Sequence, residues 1–361
     1  MPRLLMLANH FVDHGGGLEI MADELARQLA GYPQFAVTLA AHGAASQGLP
    51  YDTLELPLSD RIERLTGLPI MLPGPSDLAE LREAVREADC LILHDNVYLG
   101  HLFAQRVAHK AGIPVLLIKH TGWLQDRSSF VQFAQSIANT LILSRSMEHA
   151  DRVVAVTQAK KENINERLPD LSIEVVENGI DTSFFDLADE PKDIDVLFVG
   201  RFVAKKGIDL IAKLAARRKD LRFACLGFGP LEPDTMKLPN IEVVHRPSRT
   251  EIRRAYRRAR LCLAPVLSEG TPLTVLESLA CGTRVLVSEQ AAHPMLSYIT
   301  SIPIDLQWPA QIVDIWDQQI SYHLTQESDP PLLRDQIVKH FSTQNMGRRY
   351  ATIIEDLLAR R

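Results

Sequence analysis

The chain has 361 residues, 46% of them hydrophobic and 23% charged, with a formal net charge of −6. That length suits two domains of ordinary size, and the balance is that of a globular protein in water. The acidic excess argues against a general nucleic-acid binder, which carries a basic surplus.

In chain order, short apolar runs alternate with amphipathic helices, the pattern of layered α/β folds. Leu4–Ala8 reads as a buried strand, followed by a loop with Gly15, Gly16 and Gly17. A helix follows, with Leu18, Met21, Ala22, Leu25 and Leu29 on one face and Gly31 as its stop. Val37–Ala41, Cys90–Leu93, Val115–Ile118, Val153–Val156 and Ile173–Val176 read as further strands with helices between. Ser183 to Asp193 reads as a linker, because Asp189, Glu190 and Pro191 break any period. The alternation then restarts with Asp195–Val199, Arg222–Leu226, Ile241–Val244, Leu261–Pro265 and Arg284–Val287 as strands. Gly207 leads into a helix carrying Ile208, Ile211, Leu214 and Ala215, and Ser248 with Glu251 forms a capping box that opens another. The Arg-rich run from Arg253 to Arg260 reads as a solvated helix face, with a phosphate- or acceptor-facing patch as the rival reading. The expected organisation is a Rossmann-like domain over 1–182, a linker over 183–193, a second Rossmann-like domain over 194–342, and a C-terminal helix over 343–361 packing back on the first domain. In such doubly wound sheets ligands bind beyond the carboxyl ends of the strands, so the site is expected in a central cleft between two facing domains.

The four cysteines, Cys90, Cys225, Cys262 and Cys281, are far apart and read as buried thiols of a reducing compartment. The opening apolar run is too short for a signal-peptide core, and no apolar stretch reaches the ~20 residues of a membrane helix. A cytoplasmic location is therefore expected.

The most informative segment is Leu267 to Gly282. Two acids, Glu269 and Glu277, flank a helix start marked by Pro272, with Leu273, Leu276 and Ala280 at helical spacing. Glu269 is expected in the loop and Glu277 inside the helix, off its apolar stripe. The amides of Gly270, Thr271 and Leu273 belong to the helix start, where an anion is favoured. Two carboxylates around an anion site suit a ligand with hydroxyls at both ends and a diphosphate in the middle, which is a nucleotide-sugar. A second segment, Gly200-Arg201-Phe202-Val203-Ala204-Lys205-Lys206-Gly207, lies between a strand and a helix. Arg201 can grip a phosphate with two parallel N–H bonds and Lys206 can add a point charge. The loop at Gly16 and Gly17 would let backbone approach a phosphate, though it lacks the Gly-x-Gly-x-x-Gly spacing of a dinucleotide site. His120 and His94 each stand just after a strand, and each has a structural as well as a functional reading. Asp193-Ile194-Asp195 leads into a strand, the wrong end of a sheet for a catalytic metal, so no metal is expected. The base pocket is expected near His245-Arg246-Pro247.

These residues carry a resemblance. Gly16-Gly17-Leu18-Glu19, His120, the run Ala150 to Val156, Asn178-Gly179-Ile180-Asp181, Gly200-Arg201 with Lys206-Gly207, Gly227-Phe228-Gly229-Pro230 and the Glu269–Glu277 helix stand in one order over nearly the whole chain. In that order the chain resembles a family 4 retaining glycosyltransferase of the GT-B fold. The resemblance implies that Glu269 binds hydroxyls of the transferred sugar and Glu277 the ribose. It implies that Arg201 and Lys206 hold the diphosphate with the amides from Gly270 to Leu273, and that Gly16 and Gly17 close over the phosphates or acceptor. His120 would lie near the reacting carbon, and no metal or other cofactor is needed beyond the nucleotide-sugar itself. Ser288 to Met295 departs from the family pattern, having neither the paired glycines nor the acid usual there.

The expected activity is transfer of a sugar from a UDP- or GDP-sugar to a hydroxyl of a glycan or lipid-linked saccharide, in surface polysaccharide synthesis. A nucleotide-sugar 2-epimerase of the same fold and a non-catalytic nucleotide-sugar or glycan binder are the rival readings. Residues 1–181 hold 15 Lys+Arg against 23 Asp+Glu, and the rest 24 against 22. The acceptor half thus has no basic excess for an anionic bilayer, so at most weak, transient membrane contact is expected.

Overall fold

The computed structural model describes residues 1–12, 16–56, 74–121, 141–231, 238–267, 272–293, 296, 299–302, 304 and 309–360. The chain separates into two compact units, Met1–Gly179 with Thr343–Arg361, and Ile180–Ser342.

The first unit is built on β1 (Arg3–His10), β2 (Ala36–His42), β3 (Asp52–Leu56), β4 (Cys90–His94), β5 (Val115–Lys119), β6 (Arg152–Ala155) and β7 (Ile173–Val175). All pair in parallel, in the order β3-β2-β1-β4-β5-β6-β7. Both faces are covered, which is why these strands read as continuous apolar runs. Leu4 and Met6 of β1 join a core with Leu25 and Leu29 of the Gly17–Ala30 helix and Tyr350 and Ile354 of the Thr343–Ala359 helix. Leu5 and Leu7 turn the other way, to Leu81 and Val85 of the Pro75–Glu87 helix and Ala104 and Ala108 of the Leu99–Ala111 helix. The two helices on the first face touch closely. A Cβ on Gly347 would come 2.7 Å from Gln28, and Gln28 Nε2 donates to Thr343 Oγ1 at 3.3 Å.

The second unit is built on β8 (Ile194–Arg201), β9 (Phe223–Phe228), β10 (Ile241–His245), β11 (Ala259–Ala264), β12 (Arg284–Ser288) and β13 (Thr300–Ile302). Its parallel order is β10-β9-β8-β11-β12-β13. Val196 and Phe198 pack on the Ile208–Arg217 helix and on Trp316 of the Pro309–Thr325 helix, while Leu197 faces the Leu273–Ala280 helix. In both sheets the order reverses beside the unit's first strand, between β1 and β4 and between β8 and β11, which is where doubly wound folds open a crevice.

The structure adds two strands that periodicity did not reveal. Asp52–Leu56 sits at a sheet edge with only Leu56 buried, and Thr300–Ile302 is three residues long. The segment 183–193, expected as a linker, lies within the second unit. The reason is the Arg-rich helix Arg249–Arg258, whose face was expected to be solvated. Arg253 donates to Phe184 O at 3.2 Å, Arg257 pairs with Asp186, and Arg258 grips Asp193 with two bonds of 2.7 and 2.6 Å. Bidentate geometry of that kind is what guanidinium does best with a carboxylate. The Ser248–Glu251 capping box is present, with the Glu251 amide donating to Ser248 Oγ at 3.2 Å and the Ser248 amide to Glu251 Oε2 at 2.7 Å. Among the described residues no helix is long and apolar enough to cross a membrane.

Candidate functional site

In the second unit the carboxyl ends of four adjacent strands carry the expected groups. β8 ends in Gly200-Arg201, and a short 3-10 turn, Ala204–Lys206, follows. Arg201 is exposed and pairs with no acid among the described residues, while Lys206 is half-buried. Gly207 closes the turn at φ 78°, and a Cβ there would sit 2.3 Å from the Pro265 carbonyl. Only glycine meets both demands. The Leu267 amide donates to Lys205 O at 3.0 Å, so the cationic loop is pinned to the chain that leaves β11 toward residues 268–271. Glu269, Gly270 and Thr271 lie outside the described residues. Pro272, expected in the first helical turn, caps the helix from just outside it with an extended backbone, and Leu273 is the first helical residue.

The glycines after β9 have a packing reason that a plain turn lacks. Gly200 and Gly227 are register partners, and a Cβ on Gly227 would fall 1.8 Å from the Gly200 carbonyl oxygen. A Cβ on Gly229 would meet the Phe202 carbonyl at 2.4 Å. These glycines let the β9 loop press the Arg201 loop into place. After β10, Arg246 takes a left-handed backbone, φ 48°, its amide donates to Gly227 O at 2.9 Å, and its guanidinium lies 4.9 Å from the Phe228 ring centroid. Arg246 is exposed.

Glu277 lies inside the Leu273–Ala280 helix and is half-buried. Tyr256, fully buried, donates its hydroxyl to Glu277 Oε2 at 3.0 Å. Burial pushes the Glu277 carboxyl up to about 7, although the Tyr256 bond and the charge of Arg249 work the other way. A carboxylate with one donor and little water is short of hydrogen-bond donors. Paired hydroxyls of a ligand would supply them. The Tyr256 partnership was not foreseen from the sequence.

The first unit has a different kind of strand end. Gly16 caps the Gly17–Ala30 helix, and the Glu19 carboxylate folds back over it, so that a Cβ on Gly16 would lie 2.0 Å from Glu19 Oε2. A Cβ on Gly17 would meet nothing within 4 Å, so of this pair Gly17 borders open space. Gly15 lies outside the described residues. After β4 and β5 comes a buried polar cluster. Asp95, at 0% exposure, pairs with Lys119 and also accepts from the Thr121 amide and hydroxyl, each at 2.8 Å. Burial alone would raise its carboxyl, but the Lys119 ammonium and the Thr121 bond are among the groups that together hold it below the usual range. Lys119 also donates to Asn96 Oδ1 at 2.8 Å, and His101 Nδ1 lies 2.9 Å from the Asp95 carbonyl. His120 is half-buried, its Nε2 3.0 Å from Nδ1 of the buried His94. Burial pushes His120 down to about 4, against the pull of Asp95, and pushes His94 well below the ordinary histidine value. Lys119, Asp95 and His101 were missed from the sequence. The available signal was position: Asp95 and Lys119 stand at or just beyond the ends of the neighbouring strands β4 and β5, and His101 lies in the first turn of the next helix.

Among the described residues no group of three or more His, Cys, Asp or Glu is arranged to hold a metal ion. Asp193 is bound by Arg258, and Asp195 by Arg260 at 2.8 Å, so both acids of that pair are charge-balanced by arginines.

Comparison with known proteins agrees with this geometry. Residues 15–184 match the model of Glycosyltransferase Family 4, and residues 193–299 that of Glycosyl transferases group 1. An uncharacterized glycosyltransferase of Methanocaldococcus jannaschii is 27% identical over 186 residues, covering 50% of each chain. A D-inositol 3-phosphate glycosyltransferase of a Mycobacterium species is 28% identical over 173 residues, covering 41% of this chain and 39% of the relative. The matches thus span about half, or less, of the length of these relatives. Among solved structures, HepE of Anabaena in complex with UDP superposes with a TM-score of 0.72 at 14% identity, covering 99% and 100% of the two chains. Sucrose-phosphate synthase of Thermosynechococcus elongatus superposes with a TM-score of 0.75 at 16% identity, covering 100% of both.

Proposed function

Since the chain belongs to the family 4 glycosyltransferases of the GT-B fold, we propose that it transfers a sugar from a UDP- or GDP-sugar to a hydroxyl of a glycan or lipid-linked saccharide. The anomeric configuration is retained, and the product feeds surface polysaccharide synthesis. The observation that carries this reading is the convergence at the reversal point of the second sheet. Arg201, Lys206 and the start of the Leu273–Ala280 helix share the carboxyl ends of the paired strands β8 and β11. Two cations and a helix N-terminus at one end of the sheet make a receptor suited to an anion. HepE, solved with UDP and with UDP-glucose, supports a uridine donor.

In this reading the diphosphate sits against Arg201, Lys206 and the amides from Gly270 to Leu273. Glu277 accepts from the ribose hydroxyls, Glu269 from the sugar, and Arg246 borders the base. As the bond between the sugar C1 and the phosphate oxygen breaks, negative charge grows on the diphosphate, and the two cations and the helix start offset it without a metal ion. The acceptor hydroxyl attacks from the same face and gives its proton to the departing phosphate oxygen. Retention then follows with no covalent enzyme intermediate. The family pattern assigns His120 to the reacting carbon and Gly16 and Gly17 to the phosphates or acceptor. The first unit engages membranes weakly at most.

The test is direct. The purified chain is incubated with UDP- and GDP-hexoses and a panel of saccharide acceptors. Mass spectrometry follows the product, and proton NMR coupling reads its anomeric configuration. A product with the donor's configuration is expected. Failure to release nucleoside diphosphate from any donor, or an inverted product, contradicts the proposal.

A further inference from the structure

The buried histidine that ends β4 has no part in the reaction as derived so far, yet its geometry constrains a residue assigned to it. His94 is the register partner of Ile118, and His120 lies two residues further along the same face, so the rings meet at the ends of neighbouring strands. The ring planes are 21° apart and the centroids 5.2 Å apart. With Nδ1 of His94 only 3.0 Å from Nε2 of His120, that centroid separation is close to the N–N distance plus two ring radii. The rings therefore meet edge to edge, as a hydrogen bond in their common plane requires, and are not stacked face on face.

Both rings are buried enough to be neutral near pH 7. One proton then lies between them, and two arrangements exist. If His120 donated from Nε2, His94 would carry its own proton on Nε2. That atom is fully buried and meets no hydrogen-bond partner among the described residues. Buried N–H groups without an acceptor are rarer and costlier than buried lone pairs without a donor. If His94 donates from Nδ1, its Nε2 holds only a lone pair and the conflict is gone. The backbone leaves His120 little freedom to escape this pairing. Lys119 before it pairs with Asp95, and Thr121 after it donates twice to the same carboxylate.

We infer that His94 is a positioning residue: it donates its Nδ1 proton to Nε2 of His120, and so fixes His120 in the tautomer that carries its proton on Nδ1. His120 then meets substrate as a hydrogen-bond donor from Nδ1, and its Nε2 is already occupied. The second half of this inference rests on the reading of His120 as a residue of the transfer reaction; the proton placement does not.

The experiment is long-range proton–nitrogen correlation NMR of the full chain labelled with 15N-histidine, at neutral pH. A ring nitrogen without a proton resonates far from one that bears it, so each tautomer has its own pattern. His120 is expected to show a protonated Nδ1 and a bare Nε2. In His94→Leu the His120 pattern is expected to change. In His94→Asn, whose amide N–H takes the place of the Nδ1–H, the original pattern is expected to be kept. A wild-type His120 protonated on Nε2 overturns the inference, and the wild-type spectrum alone decides this even if His94→Leu does not fold. An unchanged His120 in a folded His94→Leu also overturns it. Sugar transfer is measured on the same variants. His94→Leu is expected to lose about 10- to 100-fold in kcat with donor KM little changed, as misplacement of a reacting group does, and His94→Asn to recover most of it. The predicted tautomer with unaltered transfer in His94→Leu overturns the positioning role. Absence of transfer in the wild type counts against the functional reading and leaves the tautomer result standing.

Discussion

The two units share one sheet topology and differ in what stands at the strand ends. In the first unit the polar groups there face one another. Asp95 is neutralised by Lys119, His94 is bonded to His120, and Asp95, Asn96 and Lys119 are at most 3% exposed. In the second unit Arg201 and Arg246 are exposed, and Glu277 is half-buried with its carboxyl raised to about 7. The charges of one crevice are balanced from within, whereas in the proposed reading those of the other are balanced by a ligand. A satisfied buried network contributes rigidity and stability, whereas unsatisfied charges at a strand end contribute affinity for what will neutralise them.

The sharpest way to break this contrast is to orphan a charge in the first unit. Asp95→Ala leaves Lys119 buried without its counter-charge and should cost about 3–5 kcal/mol of stability. Calorimetric unfolding reads it as an early transition, while nucleotide affinity of the second unit changes little. The double variant Asp95→Ala/Lys119→Met should recover part of the loss. A single variant as stable as wild type would mean that the pair is not buried as described.

Next come the cations of the second unit. Arg201→Ala and Lys206→Ala should each lower donor kcat/KM by about 10- to 100-fold, from the loss of ~1.5–3 kcal/mol of charge-assisted bonding. The exposed Arg201 makes no ion pair among the described residues that its loss would break, so the melting temperature of Arg201→Ala should barely move. Turnover within about twofold of wild type in both variants would remove them from the diphosphate site.

Glu277 joins the two behaviours. Its folded carboxyl, at about 7, is raised above the usual 4.5, so the folded state binds more protons than the unfolded state between those values. Stability contributed by this group is complete below the unfolded value and is lost as pH rises through the folded one. Glu277→Gln should therefore stabilise the chain at pH 8 by about 1–3 kcal/mol and flatten the decline between pH 5 and 8. The same variant should bind donor more weakly, because the proposed site sets this carboxylate against the ribose hydroxyls. Unchanged stability at pH 8 would contradict the raised carboxyl.

The smallest expected effect is none at all. Exhaustive chelation should leave transfer unchanged, since in the proposed mechanism the two cations and the helix start take the role a metal would have. An enzyme revived only by Mg²⁺ or Mn²⁺ would show that a ligand set lies outside the described residues.

How far all this was legible in the sequence follows from the range of the interactions. Central parallel strands are buried on both faces, so Leu4–Ala8 or Leu261–Ala264 stand out as apolar runs. Asp52–Leu56 carries one buried residue at an edge and gives no such signal. The placement of Arg201 at a strand end, Lys206 in the following loop and Glu277 inside a helix could be read because each depends on its sequence neighbours. The contacts that define the first unit's crevice join residues 24 and 26 positions apart, and Tyr256 reaches Glu277 across 21. The arginine clasp on 183–193 spans 65 to 71 positions. Nothing local encodes those partners; the order of strands brings them together.

The central claim is that the second unit's strand ends form a nucleoside-diphosphate receptor that works without metal. Isothermal titration of UDP and GDP into chelator-treated wild type and Arg201→Ala tests it most directly. Binding of at least one of these nucleotides by the wild type, weakened at least about tenfold in a variant that melts at the wild-type temperature, is the predicted result. Equal affinity in the two proteins, or no binding of either nucleotide to the wild type, would contradict it.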